Sequence, residues 1–487
     1  MTAAVMSEPI PHGRGKSSAA IMILAPLVLL AVCLMSKYGV IMVPGAMRGV
    51  IIAALLISLF MTGMPISIAL GLSVLTFMFT MTQVPIVTVS LKLFTGIEKF
   101  EIMSIPFFIL AGNFLTQGGV ARRMIHFATT MIGHWYGGLG MAGVLSCALF
   151  AAISGSSVAT VVAIGSILLP AMVKQGYPVR FGAGVIATSG ALGILFPPSI
   201  NLVIFSVATS GINVIGPAGN RVDSPSIGSL FIAGIVPGIT LAILLGAMTW
   251  YQAYKNDYPR MERAHWGERI KAFFDAFWGL FLIVIIIGGI YAGLFTPTEA
   301  AAMAAVYACL VAVFVYKDLK ISDVPKVLLK SASMSAMILY IVTNAVLFSF
   351  LMVSEQIPQG MAAWMANQGF GPLGFLLVCN IILLAAGNVM DPSAIVLIFA
   401  PILFPVAARL GVNPIHFGIM MAVNMEIGLC HPPVGLNLYV ASGIAKMGIS
   451  ELTLAVLPWL LTMLGFLVMI TYWPGLTLFL PHLLGMH

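Results

Sequence analysis

Apolar residues run along this chain in long, non-alternating stretches, and charged residues gather in the gaps between them. A run of about 20 apolar residues is what a helix needs to cross hydrocarbon. Membrane β-strands would instead alternate over about 10 residues. The pattern therefore predicts an all-α polytopic membrane protein. Crossings are expected over Ala19–Met35, over Gly49–Thr82 with a break at Met64-Pro65, and near Leu230–Tyr254, Phe274–Phe295 and Glu299–Tyr316. Gln83–Ser104, carrying Lys92, Glu98, Lys99 and Glu101, reads as an amphipathic connector, and the short Ile105–Gln117 run ends at Arg122 and Arg123. Lys255–Lys271 reads as a charged loop or a solvated cytoplasmic or interfacial helix, not as a partner site. Arg14 and Lys16 before Ala19–Met35 suit either a retained helix or a cleaved signal peptide. The absence of a small-residue cleavage site favours the helix.

One stretch occurs twice. Ile167, Leu168, Pro170, Gly176, Gly193, Pro197 and Pro198 recur 235 positions later as Ile402, Leu403, Pro405, Gly411, Gly428, Pro432 and Pro433. Such self-similarity marks an internal repeat. In each copy a Pro-Pro pair interrupts a long apolar segment, depriving the carbonyls of Gly193–Phe196 and Gly428–His431 of helical partners. Inside a membrane such breaks are tolerated only within protein or around a cavity, and a pair of them points to a transporter's binding site.

Upstream of each break lies a second paired feature. Residues 137–173 place Ser154-Gly155-Ser156-Ser157 between two short apolar arms, and residues 372–408 do the same with Gly387–Ser393. Re-entrant hairpins with arms under 18 residues are expected, the alternative being two tightly turned full crossings. Ser156 and Asp391 are related by the repeat offset. With re-entrant hairpins and a cytoplasmic amino terminus, sixteen of the 22 Lys and Arg residues fall on the cytoplasmic side and six on the other, in the expected direction. Five crossings then separate the copies, so the second is inverted relative to the first. The domain reading follows: 1–48, cytoplasmic terminus and extra helix; 49–104, scaffold helices and connector; 105–212, first transport repeat; 213–330, an insertion loop over Asn213–Ile227 and further scaffold helices; 331–446, second transport repeat; 447–487, a final scaffold helix.

Composition narrows the function. Charged residues make up 8% of the chain and hydrophobic ones 60%, far from soluble averages of about 25% and 45–50%. The net charge of +7 resides in loops, where it sets orientation against the lipid bilayer; no nucleic acid partner is expected. The five cysteines lie in apolar segments without CxxC spacing, which argues against a disulfide framework or zinc site. Neither HExxH nor Gly-x-Ser-x-Gly occurs, so an intramembrane enzyme is not supported.

Asp391 is the sharpest chemical signal, since a carboxylate at membrane depth needs a cation, a pair or a water-filled cavity. As Asp before Pro392, it is also a good helix N-cap. Glu426 and His431 flank the second break and form, with Asp391, a possible proton relay; alternatively Glu426 pairs with a polar neighbour and His431 bonds a freed carbonyl. Ser154, Ser156, Ser157, Asn388 and Ser393 offer oxygen ligands for a hard monovalent cation, or are small residues for close packing. Asn201 and Asn437, just past the Pro-Pro pairs, are candidates to touch substrate or to satisfy local backbone. Half-helix amino termini would receive an anion.

Ile-Ser-Gly-Ser-Ser-Val-Ala-Thr (153–160), Gly-Ile-Leu-Phe-Pro-Pro-Ser-Ile (193–200), Asp-Pro-Ser-Ala (391–394) and Pro-Pro-Val-Gly-Leu-Asn-Leu (432–438) resemble the large membrane subunit of TRAP (tripartite ATP-independent periplasmic) transporters over about Val50–Trp459. The resemblance implies an elevator-type transporter in a bacterial inner membrane, built from two inverted repeats, each with a re-entrant hairpin and a broken helix. It implies sodium-coupled import of an organic anion, such as a dicarboxylate or sugar acid, with no cofactor beyond Na+ as the coupling ion. The implied partners are a small four-helix membrane subunit and a periplasmic substrate-binding protein. The implied sodium sites match Ser154, Gly155, Ser156 and Gly193 in one half and Asn388, Asp391 and Gly428 in the other; Ser157, Asn201, Ser393 and Asn437 are left as substrate candidates. Three departures stand out: His431 where the family usually has Thr, the Asn213–Ile227 insertion, and an extra amino-terminal helix without a preceding fused small subunit. The alternative is a proton-coupled or standalone anion exchanger.

Overall fold

The computed structural model describes residues 15–486 apart from 83, 213, 218, 389, 433 and 434. By its internal contacts the chain divides into two compact units, Met1–Gly96 with Thr343–Gly360, and Ile97–Val342 with Met361–His487. Eight helices among the described residues are long and apolar enough to cross a membrane.

The first unit holds α1 (Gly15–Lys37), α2 (Gly45–Met61), α3 (Ile66–Met81) and α4 (Val87–Thr95). Pro65 ends the gap after α2 and starts α3, the break expected from Met64-Pro65. Within this unit Arg48 donates to Glu355 at 3.1 Å, and the Lys92 ammonium lies 4.9 Å from the Phe350 ring.

In the second unit, α5 (Ser104–Gln117) is followed by α6 (Val120–Ile132), an amphipathic helix where the sequence reading placed only the end of an apolar run. The first hairpin is α7 (Gly138–Ser154) and α8 (Ser157–Lys174). The first broken helix is α9 (Val179–Ser189), a 3-10 segment Gly190–Ile194, the Pro197-Pro198 kink and α10 (Ile200–Thr209). The 213–227 insertion is not a plain loop: β1 (Val214–Ile215) and β2 (Arg221–Val222) pair antiparallel before α11 (Ile227–Lys255) begins. The Lys255–Lys271 stretch divides between the two readings, a loop at first and helical from Trp266. Residues 256–265 are irregular, Tyr258-Pro259 interrupting them, and α12 (Trp266–Ile283) starts afterwards and continues through a π turn into α13 (Gly289–Tyr291). Next come α14 (Pro297–Leu310), whose Thr296–Glu299 capping box fixes its start, α15 (Val324–Ser354) and α16 (Ile357–Asn367), of which Thr343–Gly360 belongs to the first unit.

The second hairpin is α17 (Pro372–Gly387) and α18 (Pro392–Arg409), and the second broken helix is α19 (Pro414–Cys430) and α20 (Leu436–Ala445). The chain ends with α21 (Ile449–Tyr472) and α22 (Gly475–Leu483). The hairpin arms have 17, 18, 16 and 18 residues, so the second arm of each reaches the 18 residues the sequence reading set as an upper limit. The first tip is nonetheless interior. Ser154 is 5% exposed, and a Cβ on Gly155 would stand 2.3 Å from the Pro198 carbonyl oxygen. Two repeated glycines have a local reason: Gly176 and Gly411 both turn the chain out of a hairpin at positive φ, 89° and 81°, where a side chain is strained.

The repeats interlock. α8 packs on α20, and α10 on α18, so each hairpin lies against the far half of the other repeat's broken helix. A buried cluster of Val161, Leu169, Ile186, Leu438, Leu452 and Val456 seals the first of these contacts. Two inverted repeats, each a re-entrant hairpin followed by a broken helix, thus share one apolar core.

Candidate functional site

Local chemistry fixes the hairpin tips first. Gly155 closes α7 in the left-handed conformation at φ 60°, and Ser156 caps α8 by accepting from the Ala159 amide. In the other hairpin Asp391 caps α18, its Oδ2 accepting from the Ser393 amide at 2.9 Å, with Pro392 as the first helical residue. Ser199 caps α10 in the same way. Three helix amino termini are therefore aimed at one region.

They line a cavity of about 240 Å³. Ser154, Gly155, Ser156 and Ser157 come from the first tip, Asp391 and Ser393 from the second, and Asn201 from α10. The facing wall carries Asn113 and Thr116 of α5 and Met334 and Met337 of α15. No Lys or Arg lines it among the described residues. Asp391 is an exposed residue of the cavity lining, so the carboxylate that caps α18 also borders the cavity. Helix amino termini carry partial positive charge and open N–H groups, which suits an anion; Asp391 and the hydroxyls suit a cation beside it.

Oxygen atoms crowd the first tip. Ser154 Oγ lies 3.1 Å from Thr160 Oγ1 and 3.3 Å from the Ser156 carbonyl oxygen, and Thr160 Oγ1 donates to that carbonyl at 2.8 Å. Thr160 was not singled out from sequence, although it stands one turn after Ser156 within the same motif. Among the described residues no group of three or more His, Cys, Asp or Glu could hold a metal. The available donors are hydroxyls, carbonyls and one carboxylate, a hard-oxygen set.

Gly193 and Gly428 lie behind the tips. A Cβ on Gly193 would stand 2.7 Å from Ser156 C and Ser157 N, and one on Gly428 would stand 2.8 Å from Gly387 Cα. Each break therefore presses backbone to backbone on its own repeat's hairpin. The two asparagines do the opposite and cross between repeats: Asn201 Oδ1 accepts from Ser393 Oγ at 3.1 Å, and Asn437 Nδ2 donates to Ser157 Oγ at 2.8 Å and to the Ala187 carbonyl at 3.2 Å. Asn437, fully buried, stands outside the cavity lining.

The three residues of the possible relay are separated by role. His431 Nδ1 is 2.6 Å from Asn388 Oδ1, so it ties the second break to the second tip through a side chain and not through the freed carbonyl expected of it. Glu426 is 0% exposed in α19 and meets no side-chain donor, the Leu195 backbone being the group set against its carboxyl; the expected pairing with a polar side chain is not made. Asn113, missed from sequence, donates to Ser331 Oγ at 2.9 Å. A polar residue inside the apolar Ile105–Gln117 run was the signal that could have found it. Met334 and Met337 gave none, because methionine in an apolar helix looks like any packing residue.

A family model described as "Tripartite ATP-independent periplasmic transporter, DctM component" matches residues 53–476. The C4-dicarboxylate TRAP transporter large permease protein DctM of Rhodobacter capsulatus is 70% identical over 440 residues, covering 90% of this chain and all of that protein. The protein of the same description from Pseudomonas aeruginosa is 51% identical over 399 residues, covering 82% of this chain and 90% of its own. The crystal structure of the Alcanivorax borkumensis YdaH transporter shares the fold, with a TM-score of 0.57 at 15% identity, covering 94% of this chain and 98% of that one. With paired hairpins, paired broken helices and a match over most of its length, this chain belongs to the DctM component family of tripartite ATP-independent periplasmic transporters.

Proposed function

We propose that this chain is the large permease of a sodium-driven importer of a C4-dicarboxylate or a closely related organic acid. The observation that carries the reading is the convergence of three capped helix amino termini and the Asp391 carboxylate on one small cavity between serine-bearing tips. The amino termini would take the substrate's carboxylates. Na+ would be held by Ser154, Ser156, Thr160 and backbone carbonyls near Gly193 in one half, and by Asp391, Asn388 and carbonyls near Gly428 in the other. Ser157, Asn201, Ser393 and Asn437 position the tips and, for those on the cavity wall, contact substrate. The dicarboxylate assignment rests on the relatives' names. The family name supports a periplasmic binding protein and a small membrane subunit as partners, working at a bacterial inner membrane. Transport would proceed by elevator movement of the hairpin-bearing repeats.

Thermal unfolding in sodium against potassium or choline, at equal ionic strength, tests the coupling ion. A ligand bound only by the folded state stabilises it by about 2.7 kcal/mol at a hundredfold excess over Kd. Sodium is expected to raise the midpoint selectively, and Asp391→Asn to abolish most of the rise. Asparagine is as good an N-cap as aspartate, so this variant removes charge and keeps the cap. A full sodium response in the variant would sink the assignment of Asp391. One observation favours a second reading: the fully buried Glu426 carboxyl, with no side-chain partner, is where a coupling proton would reside. Glu426→Gln altering the pH dependence of transport, with no sodium requirement, would establish that reading instead.

A further inference from the structure

At the end of the molecule where α6 turns into α7, basic side chains collect without acidic partners. The irregular segment 256–265 is fastened there: the Met261 amide donates to the Gly133 carbonyl at 3.1 Å, and Tyr177 Oη donates to the Pro259 carbonyl at 2.6 Å. Arg260 is held 3.3 Å from the centre of the Tyr136 ring. Arg269, in the first turn of α12, is only 8% exposed, and its Nε and Nη2 have no hydrogen-bond partner. Its guanidinium stands 5.3 Å from the Trp266 ring. His134 Nδ1 is likewise buried and unpartnered. Burial, then the charges of Arg263 and Arg269, hold the His134 imidazole below its ordinary pKa, which places all three groups in one field.

Among the described residues no carboxylate forms a salt bridge with them. Glu268 is turned to the His265 amide at 3.3 Å, Glu262 is exposed, and none of the salt bridges among the described residues involves Arg260, Arg263 or Arg269. Burying a guanidinium with open donors is costly unless an anion completes it. Arg is the side chain best matched to a phosphate.

The second observation is an apolar groove of about 820 Å³ that begins at the same loop. Trp135, whose ring lies 6.2 Å from that of His134, is part of its lining. The groove follows α11 from Ile235 to Trp250, about 22 Å at 1.5 Å per residue, against roughly 15 Å of hydrocarbon in one leaflet. Phe196 and Pro197 of the first broken helix form part of its wall. Ile243 and Trp250 in it are 64% and 41% exposed. In a bilayer such a surface is met by acyl chains, and tryptophans at its head mark the interface.

We propose that this is a binding site for one anionic phospholipid, with its phosphate on Arg269, Arg263 and His134 and an acyl chain laid along α11. The basic-residue asymmetry of the loops puts the site in the cytoplasmic leaflet, where anionic lipid is concentrated. A chain in the groove touches both the first hairpin and the first break, so its occupancy is coupled to any motion of either.

The test uses the full-length protein delipidated in a neutral detergent. Thermal midpoints are recorded with phosphatidylglycerol, with phosphatidylcholine of the same chains, and with inorganic phosphate. Phosphatidylglycerol is expected to stabilise at concentrations roughly tenfold below phosphatidylcholine, the scale of one or two charge-assisted hydrogen bonds, and inorganic phosphate is expected to do nothing. Arg269→Gln should erase the preference. Because Arg269 is buried, exposed Arg263→Gln is the second variant, expected to reduce the preference in a folded protein. Ala247→Phe, which fills the groove, should weaken both lipids. Equal stabilisation by the two lipids, a preference retained in both arginine variants, or an equal response to inorganic phosphate would overturn the proposal.

Discussion

Single atoms decide the breaks. Gly193 and Gly428 are conserved through the internal repeat because a Cβ at either would stand within 3 Å of a hairpin backbone, too close for a methyl to be absorbed. Gly193→Ala and Gly428→Ala are each expected to cost about 1–3 kcal/mol from overpacking and to diminish any sodium-induced rise in midpoint. Gly443, in α20 with nothing within 4 Å of its would-be Cβ, is the control: alanine there should be neutral or slightly stabilising. Equal behaviour of the three variants in thermal scans would contradict this account. The glycines were legible as a pair from sequence through their spacing. What they press against was not, since the Ser156 and Gly387 backbones are distant in the chain.

At the scale of elements, each hairpin is bound twice: by backbone contact to its own broken helix and by one asparagine to the other repeat's. The bonds are unequal. Asn437 is fully buried and serves both Ser157 and the Ala187 carbonyl, whereas Asn201 serves Ser393 alone. Asn437→Ala is therefore expected to cost about 1–3 kcal/mol for the groups left unsatisfied, and Asn201→Ala less, measured by the unfolding midpoint. The sequence placed both residues just after the Pro-Pro pairs and left open whether they touch substrate or backbone. Asn437 does neither alone, because the interlocking of α20 with α8 brings it to a hairpin serine first. Asp391 shows both of its sequence-level faces, capping α18 and opening onto the cavity.

For the whole molecule, orientation is the testable property. The five cysteines are buried or partly buried, so new surface cysteines report cleanly. Asn256→Cys, in the basic segment after α11, and Asn220→Cys, in the turn between β1 and β2, should lie on opposite sides of the membrane. A membrane-impermeant maleimide added to intact cells is expected to label Asn220→Cys and to spare Asn256→Cys until the cells are opened. Labelling of both from outside would refute the inverted arrangement of basic loops.

Class, spans, repeat and the two tips are legible in the chain alone, because each is a local or periodic property: apolar length, proline and glycine placement, a polar island in an apolar run. It also showed enough of the family's motifs to be recognised. What faces what belongs to the packed fold. It turned His431 to Asn388, left Glu426 without a side-chain partner, added Asn113, Thr160 and two methionines to the site, and left Arg260, Arg263 and Arg269 outside every salt bridge among the described residues. Those outcomes depend on contacts between residues far apart in the chain, and packing geometry, which periodicity does not encode, selects among the partners that composition allows.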